Sequence, residues 1–134
     1  MKHVVLLTVC FLFLAIAVSA QEKAEYQNWM QTIRAAGRSL NENLEAKSGD
    51  AAAADAKKLQ EVFSQVLAFR EKINISDAMK FAMDAQSGFQ EVAELASAGK
   101  FDEATEAVGK ARTCGGCHSE HRERAEDGSY IMKY

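Results

Sequence analysis

Not one of the 134 residues is proline, and that omission narrows the folds open to the chain more than any motif does. Proline breaks helix interiors and shapes many turns. A chain without it, dominated by alanine, glutamate, lysine, glutamine and leucine, is written for long uninterrupted helices. Four are expected. Helix A runs from about Glu22 to Ala46 and is closed by Lys47-Ser48-Gly49-Asp50, where Gly49 offers the left-handed terminating conformation and Asp50 a cap for the next helix. Helix B covers about Ala51 to Lys72 and breaks at Asn74-Ile75-Ser76. Helix C, capped by Ser76 or Asp77, reaches about Ala98. Gly99-Lys100 and the cap residue Asp102 then introduce helix D, expected to pass through two cysteines to about Ala125 and to stop before Asp127-Gly128.

The apolar spacing supports this division. In helix A, Tyr26, Met30, Ile33, Gly37, Leu40 and Leu44 follow steps of four and three, which lines them along one seam. Helix B repeats the pattern with Leu59, Val62, Val66, Phe69 and Ile73, and helix C carries a broader face from Met79 and Met83 to Phe89 and Ala96. Helix D has Ala104, Val108, Ala111, Gly115 and His118 on its seam. Helices of similar length joined by short connections predict an all-α fold, an antiparallel up-and-down four-helix bundle. Alanines and glycines in helix D, where leucines would fill a bundle, leave room for something that is not protein.

The amino terminus reads as an export signal. Lys2 and His3 precede an almost unbroken apolar run from Val4 to Val18, and Val18-Ser19-Ala20 sets small residues where a signal peptidase cuts. Residues 1–20 are therefore expected to be removed, leaving one domain over 21–134 with no stable membrane insertion. Cys10 departs with the leader, so Cys114 and Cys117 are the cysteines of the mature chain. Without Lys2, 15 basic groups face 19 acidic ones, a net charge of −4. That balance, with no basic stripe, argues against nucleic acid as a partner. No paired carboxylates, no nucleophile with its base and no phosphate-cradling glycine loop suggest an enzyme.

The chemistry is concentrated in Thr113-Cys114-Gly115-Gly116-Cys117-His118-Ser119-Glu120-His121. Cysteines three apart with a histidine directly after form C-x-x-C-H, the attachment sequence of haem c, in which two thiols make thioether bonds and the imidazole binds the iron. Cys114 and Cys117 are thus expected to hold one haem covalently, with His118 as the proximal iron ligand. Gly115 and Gly116 would let the macrocycle edge approach the helix backbone. A redox-active cysteine pair needs a helix amino terminus, whereas Cys114 is expected about three turns into helix D. A zinc site would need a fourth ligand and has only His121 at hand. A disulfide between such close residues in mid-helix would be strained.

A four-helix bundle with C-x-x-C-H near its carboxyl end resembles the class II c-type cytochromes, cytochrome c′ and its low-spin relatives of the cytochrome c-556 kind. Two segments carry the resemblance: Cys114-Gly115-Gly116-Cys117-His118-Ser119-Glu120-His121-Arg122, where the family commonly continues with an aromatic residue and arginine, and Tyr26-Gln27-Asn28-Trp29-Met30, similar to the family's distal Arg-Gln-x-x-(Leu or Met) segment. Tyr26 stands in place of that arginine and His121 in place of the aromatic. The resemblance implies Met30 as the sixth, distal iron ligand, Arg122 as a contact to a haem propionate, and Arg34 as a weaker substitute for the missing arginine. It also implies a periplasmic single-electron carrier in a bacterium, meeting redox partner proteins, with a homodimer through helices A and B. The alternative is a five-coordinate cytochrome c′ in which Met30 only packs and the open iron takes up gases such as nitric oxide.

Overall fold

The structure, a computed structural model, describes the backbone of residues 2–126, 128 and 130–133, and the side chains of 22–126, 128 and 130–133. The export signal assigned to residues 1–20 lies outside the described side chains. The elements are α1 (Lys2–Glu45), α2 (Gly49–Lys72), α3 (Ser76–Ser97), α4 (Phe101–Ala111), α5 (Cys114–His121), β1 (Arg122–Arg124) and β2 (Tyr130–Met132). No helix among the described residues is long and apolar enough to cross a membrane. The chain forms two units, residues 1–31 and residues 32–134. The first belongs to α1; the second holds the rest of α1 and every other element.

In the second unit the fold is an all-α helical bundle, as the proline-free sequence and its seams predict. Its core is built by Leu40 and Leu44 of α1, Leu59 and Phe63 of α2, Phe89 and Val92 of α3, and Ala104 and Val108 of α4, with alanines between them. Burying each large aliphatic side chain contributes about 1.5–3 kcal/mol. Phe63 and Phe89 stack at the centre with ring centroids 5.8 Å apart, and α3 lies between α2 and α4. Met83, expected to pack on helix C, is instead 54% exposed. Its position falls on the outer side of the stripe formed by Ala78, Ala82, Ala85 and Phe89, all of which are buried.

Three-residue connections reverse the chain between the long helices, and each closes in the same way. Ser48 N–H donates to the Asn43 carbonyl (2.8 Å) and Lys47 N–H to that of Leu44 (3.0 Å). Ile75 and Asn74 repeat this pair on Arg70 and Glu71, and Lys100 and Gly99 on Leu95 and Ala96. Such paired bonds use up the last carbonyls of a helix and require one residue in the left-handed region. Those residues are Lys47 (φ 54°), Asn74 (φ 55°) and Gly99 (φ 72°). Lys47 takes the role assigned to Gly49. Gly49 opens α2 at a close approach, where an added Cβ would lie 2.8 Å from the Ala96 carbonyl oxygen.

The main departure lies in the expected helix D. It does not run to Ala125: α4 ends at Ala111, Arg112 and Thr113 break it, and α5 starts afresh at Cys114. Two local facts account for the break. At Gly88 α3 approaches α4 so closely that a Cβ would fall 2.6 Å from the Cβ of Ala111, which pins the end of α4. The Thr113 hydroxyl then donates to the Phe81 carbonyl of α3 at 2.8 Å, and Gly115 and Gly116 have little helix propensity with which to resist. Beyond His121 the chain leaves the helix and forms an antiparallel hairpin pairing Arg122 with Met132 and Arg124 with Tyr130. Met132 is therefore a half-buried strand residue.

Candidate functional site

The short helix α5 contains the motif and little else. None of its residues is fully buried, and its half-buried face consists of Cys114, Cys117, His118 and His121, at steps of three, one and three. Ordinary amphipathic helices present aliphatic side chains inward; this one presents two thiols and two imidazoles. It is tied down at both ends, by the Thr113–Phe81 bond and by His121, whose Nε2 lies 2.9 Å from Oδ2 of Asp77 at the start of α3. Partial desolvation works against the charge on Asp77, but the backbone amides of Ala78 and Asp77 itself and the His121 imidazole together hold its carboxyl below the usual value.

Both cysteines are free thiols. Burial pushes the Cys114 thiol up, outweighing the opposing pull of its own backbone amide and of Arg112. Burial pushes Cys117 up as well; the Arg70 guanidinium opposes it, while Cys114 and Asp77 add to it. Cys114 is the first residue of α5, so the expectation that it lies three turns inside a helix is overturned. The helix terminus is present, yet the thiols are raised rather than lowered. The stabilised thiolate of a redox-active pair is thus not supplied by the surroundings. Burial, helped by Arg122, pushes the His118 imidazole down, which favours the neutral ring that a metal requires.

Beside Cys114 lies a cavity of about 550 Å³, within the range of sites for sizeable organic ligands, roughly 300–1,000 Å³. Ile33, Leu59 and Phe89 make its apolar wall, Cys114 and Gly115 its edge on α5, and Arg34, Arg38 and Arg112 its cationic rim. Gly37 and Gly115 both border it, and a Cβ built on either meets nothing within 4 Å. The seam glycine of α1 and the first glycine of the motif therefore face open space. Gly116 does not: its missing side chain accommodates the Phe81 ring, whose carbon would lie 2.8 Å from an added Cβ. Of the two glycines expected to admit a macrocycle, Gly115 faces the cavity and Gly116 packs against protein.

The residues present fit a covalently held haem. Unpaired thiols three apart, a neutral imidazole beside them, an apolar wall and a guanidinium rim match the chemistry of its vinyl groups, iron, flat apolar body and carboxylates in turn. Cys117 and His118 share the inner face of α5 but do not border the cavity. Arg122 is exposed on β1, its guanidinium 4.0 Å above the Tyr130 ring. Met30 lies in the unit 1–31, where Tyr26 and Trp29 meet edge to face at 6.0 Å; its relation to His118 rests on the resemblance.

Sequence reasoning missed four residues. Arg38 and Asn41 could have been found, since with Arg34 they form an i, i+4, i+7 stripe beside the seam glycine Gly37. Arg112, two residues before the first cysteine, looked like a mid-helix surface residue. Arg70, only 1% exposed and acting on Cys117, carried no signal at all.

The fold and site together define the class: a helical bundle whose last short helix presents C-x-x-C-H beside an open apolar cavity. Neither protein-family models, nor curated proteins, nor solved structures match the chain.

Proposed function

We propose that the chain is an exported c-type haem protein that carries single electrons in the bacterial periplasm. Cys114 and Cys117 would hold the macrocycle through two thioether bonds, His118 would bind the iron from the protein side, and Met30 would be the sixth ligand. One observation carries this reading: the inner face of α5 is made of two free thiols and two imidazoles, and its first thiol, Cys114, borders a cavity that Gly37 and Gly115 leave unfilled. When bound, the iron supplies reversible one-electron chemistry. The chain's own part is to fix and shelter it. The Thr113 and His121 bonds hold α5 in place, so both thiols and the imidazole are presented from one rigid turn. Ile33, Leu59 and Phe89 would give the group an apolar, water-excluding wall. Redox partner proteins belong with this role, and so does a homodimer through the first two helices, checked by sedimentation.

The test is expression with export and haem-attachment machinery, then denaturation in alkaline pyridine. A haem-c spectrum and a mass increase of one haem are expected, and both should be lost in Cys114→Ser/Cys117→Ser. A bare polypeptide from a host competent to attach haem sinks the proposal. Optical spectra with carbon monoxide then assign the sixth position. A low-spin iron indifferent to the gas supports Met30, and a high-spin iron that binds it makes the protein a gas-binding cytochrome c′ instead. Met30→Ala should convert the first behaviour into the second.

A further inference from the structure

We infer that Arg34, Arg38 and Arg112 form a carboxylate-binding rim that receives the anionic edge of the haem, an inference that rests on the function proposed above. The three guanidiniums come from two separate elements, α1 and the α4–α5 break, and converge on one cavity none of whose ten lining residues is acidic. Neither Arg34 nor Arg38 has an acidic partner among the described residues. Arg112 is already aimed: its Nη2 donates to Asn41 Oδ1 at 2.9 Å and reaches the Gly37 carbonyl at 3.4 Å. That hold on one nitrogen leaves the other guanidinium donors available, and a planar fork of donors suits a carboxylate.

The arrangement also orients the ligand. Cys114 borders the same cavity as the arginines, so a flat molecule tethered there, with two carboxylates on one edge, has a cationic side to turn them to. The apolar wall cannot accept carboxylates without a large desolvation cost. Arg112 is the central member. It occupies the break between α4 and α5, two residues before Cys114, and its bond to Asn41 ties that break to α1. A helix continuing unbroken through residue 112 would not place this residue so.

The inference predicts how the redox potential depends on pH. Guanidiniums beside the carboxylates keep them ionised, and removing an opposite charge raises a carboxylate pKa by about one to three units. Haem-loaded parent protein, Arg112→Gln, the pair Arg34→Gln/Arg38→Gln and the surface control Arg124→Gln would be titrated potentiometrically from pH 4 to 9. In the first two variants the pH at which the midpoint potential begins to fall should move up by about one unit or more, and the potential at neutral pH should drop. Arg124→Gln should match the parent, and Arg112→Lys should restore part of the loss.

Covalently loaded variants with the parent's pH profile would overturn the rim while leaving the haem reading intact. Failure of the parent itself to take up haem would overturn both. If Arg112→Gln fails to mature, the exposed pair on α1 carries the test: an unchanged profile in that pair overturns the rim, and a shifted one supports it.

Discussion

The close approach of α3 and α4 can be tested by adding one carbon. In Gly88→Ala the new Cβ would fall 2.6 Å from the Ala111 Cβ and 2.9 Å from its Cα. That is about 1 Å short of an ordinary carbon–carbon contact of roughly 3.5–4.0 Å. Both clashing atoms belong to, or sit directly on, helix backbone, so a rotamer change cannot relieve them and the helices must separate. Overpacking of this kind costs about 1–3 kcal/mol, against a gain of about 1 kcal/mol from replacing glycine with alanine inside a helix. The net expectation is a loss of up to about 2 kcal/mol, read as a lower urea midpoint with unchanged slope.

Gly109→Ala is the matched control. Gly109 lies in α4 with nothing within 4 Å of a built Cβ, so only the propensity gain of up to about 1 kcal/mol applies there. The two substitutions are chemically identical and should differ in sign. Because Gly88 presses on the last residue of α4, its variant should also expose Cys114 to alkylation in the haem-free chain. A Gly88→Ala protein as stable as Gly109→Ala would refute the close approach and the explanation of the helix break built on it.

Leu40→Ala, at a completely buried position of the core, should cost about 2–5 kcal/mol in urea unfolding. Lys47→Gly should stabilise the chain by about 1 kcal/mol, because lysine there holds a left-handed φ of 54° that glycine adopts without strain. Asp77 has a carboxyl held below its ordinary 3.8, so its contribution is complete above that pH and is lost as pH falls through the lower folded value. Asp77→Asn should therefore be less stable than the parent at neutral pH, with the gap closing on strong acidification, and a pH-independent gap would contradict the sign. Burial raises both motif thiols above their ordinary 9.0, so alkylation of the haem-free chain should be half-maximal above that pH. A half-maximal rate near neutrality would restore the redox-active cysteine pair.

The all-α class, three of the four expected helices and the chemical heart of the site were written in the sequence, because each depends on local rules. Absence of proline and steps of three and four set α2, α3 and the carboxyl end of α1 within a few residues, whereas α1 itself begins at Lys2, well before the expected Glu22. Cys114, Cys117 and His118 were legible because C-x-x-C-H is a contiguous motif, so its order and spacing are read directly along the chain. Turn chemistry was only half legible: Gly99 takes the left-handed position by propensity, but at Lys47 propensity yielded to packing, since Gly49 was needed against the Ala96 carbonyl.

Tertiary contact decided the rest. Periodicity carries no sign of a helix that ends because Gly88 meets Ala111 and Thr113 bonds to the Phe81 carbonyl, for those partners lie more than twenty residues away in the chain. The same long-range packing puts Cys114 at a helix start, buries Arg70 near Cys117 and gathers Arg34, Arg38 and Arg112 around one cavity. Side-chain spacing reports which residues share a helix face. Only the way the helices close on one another determines which faces meet, and where they leave a space between them.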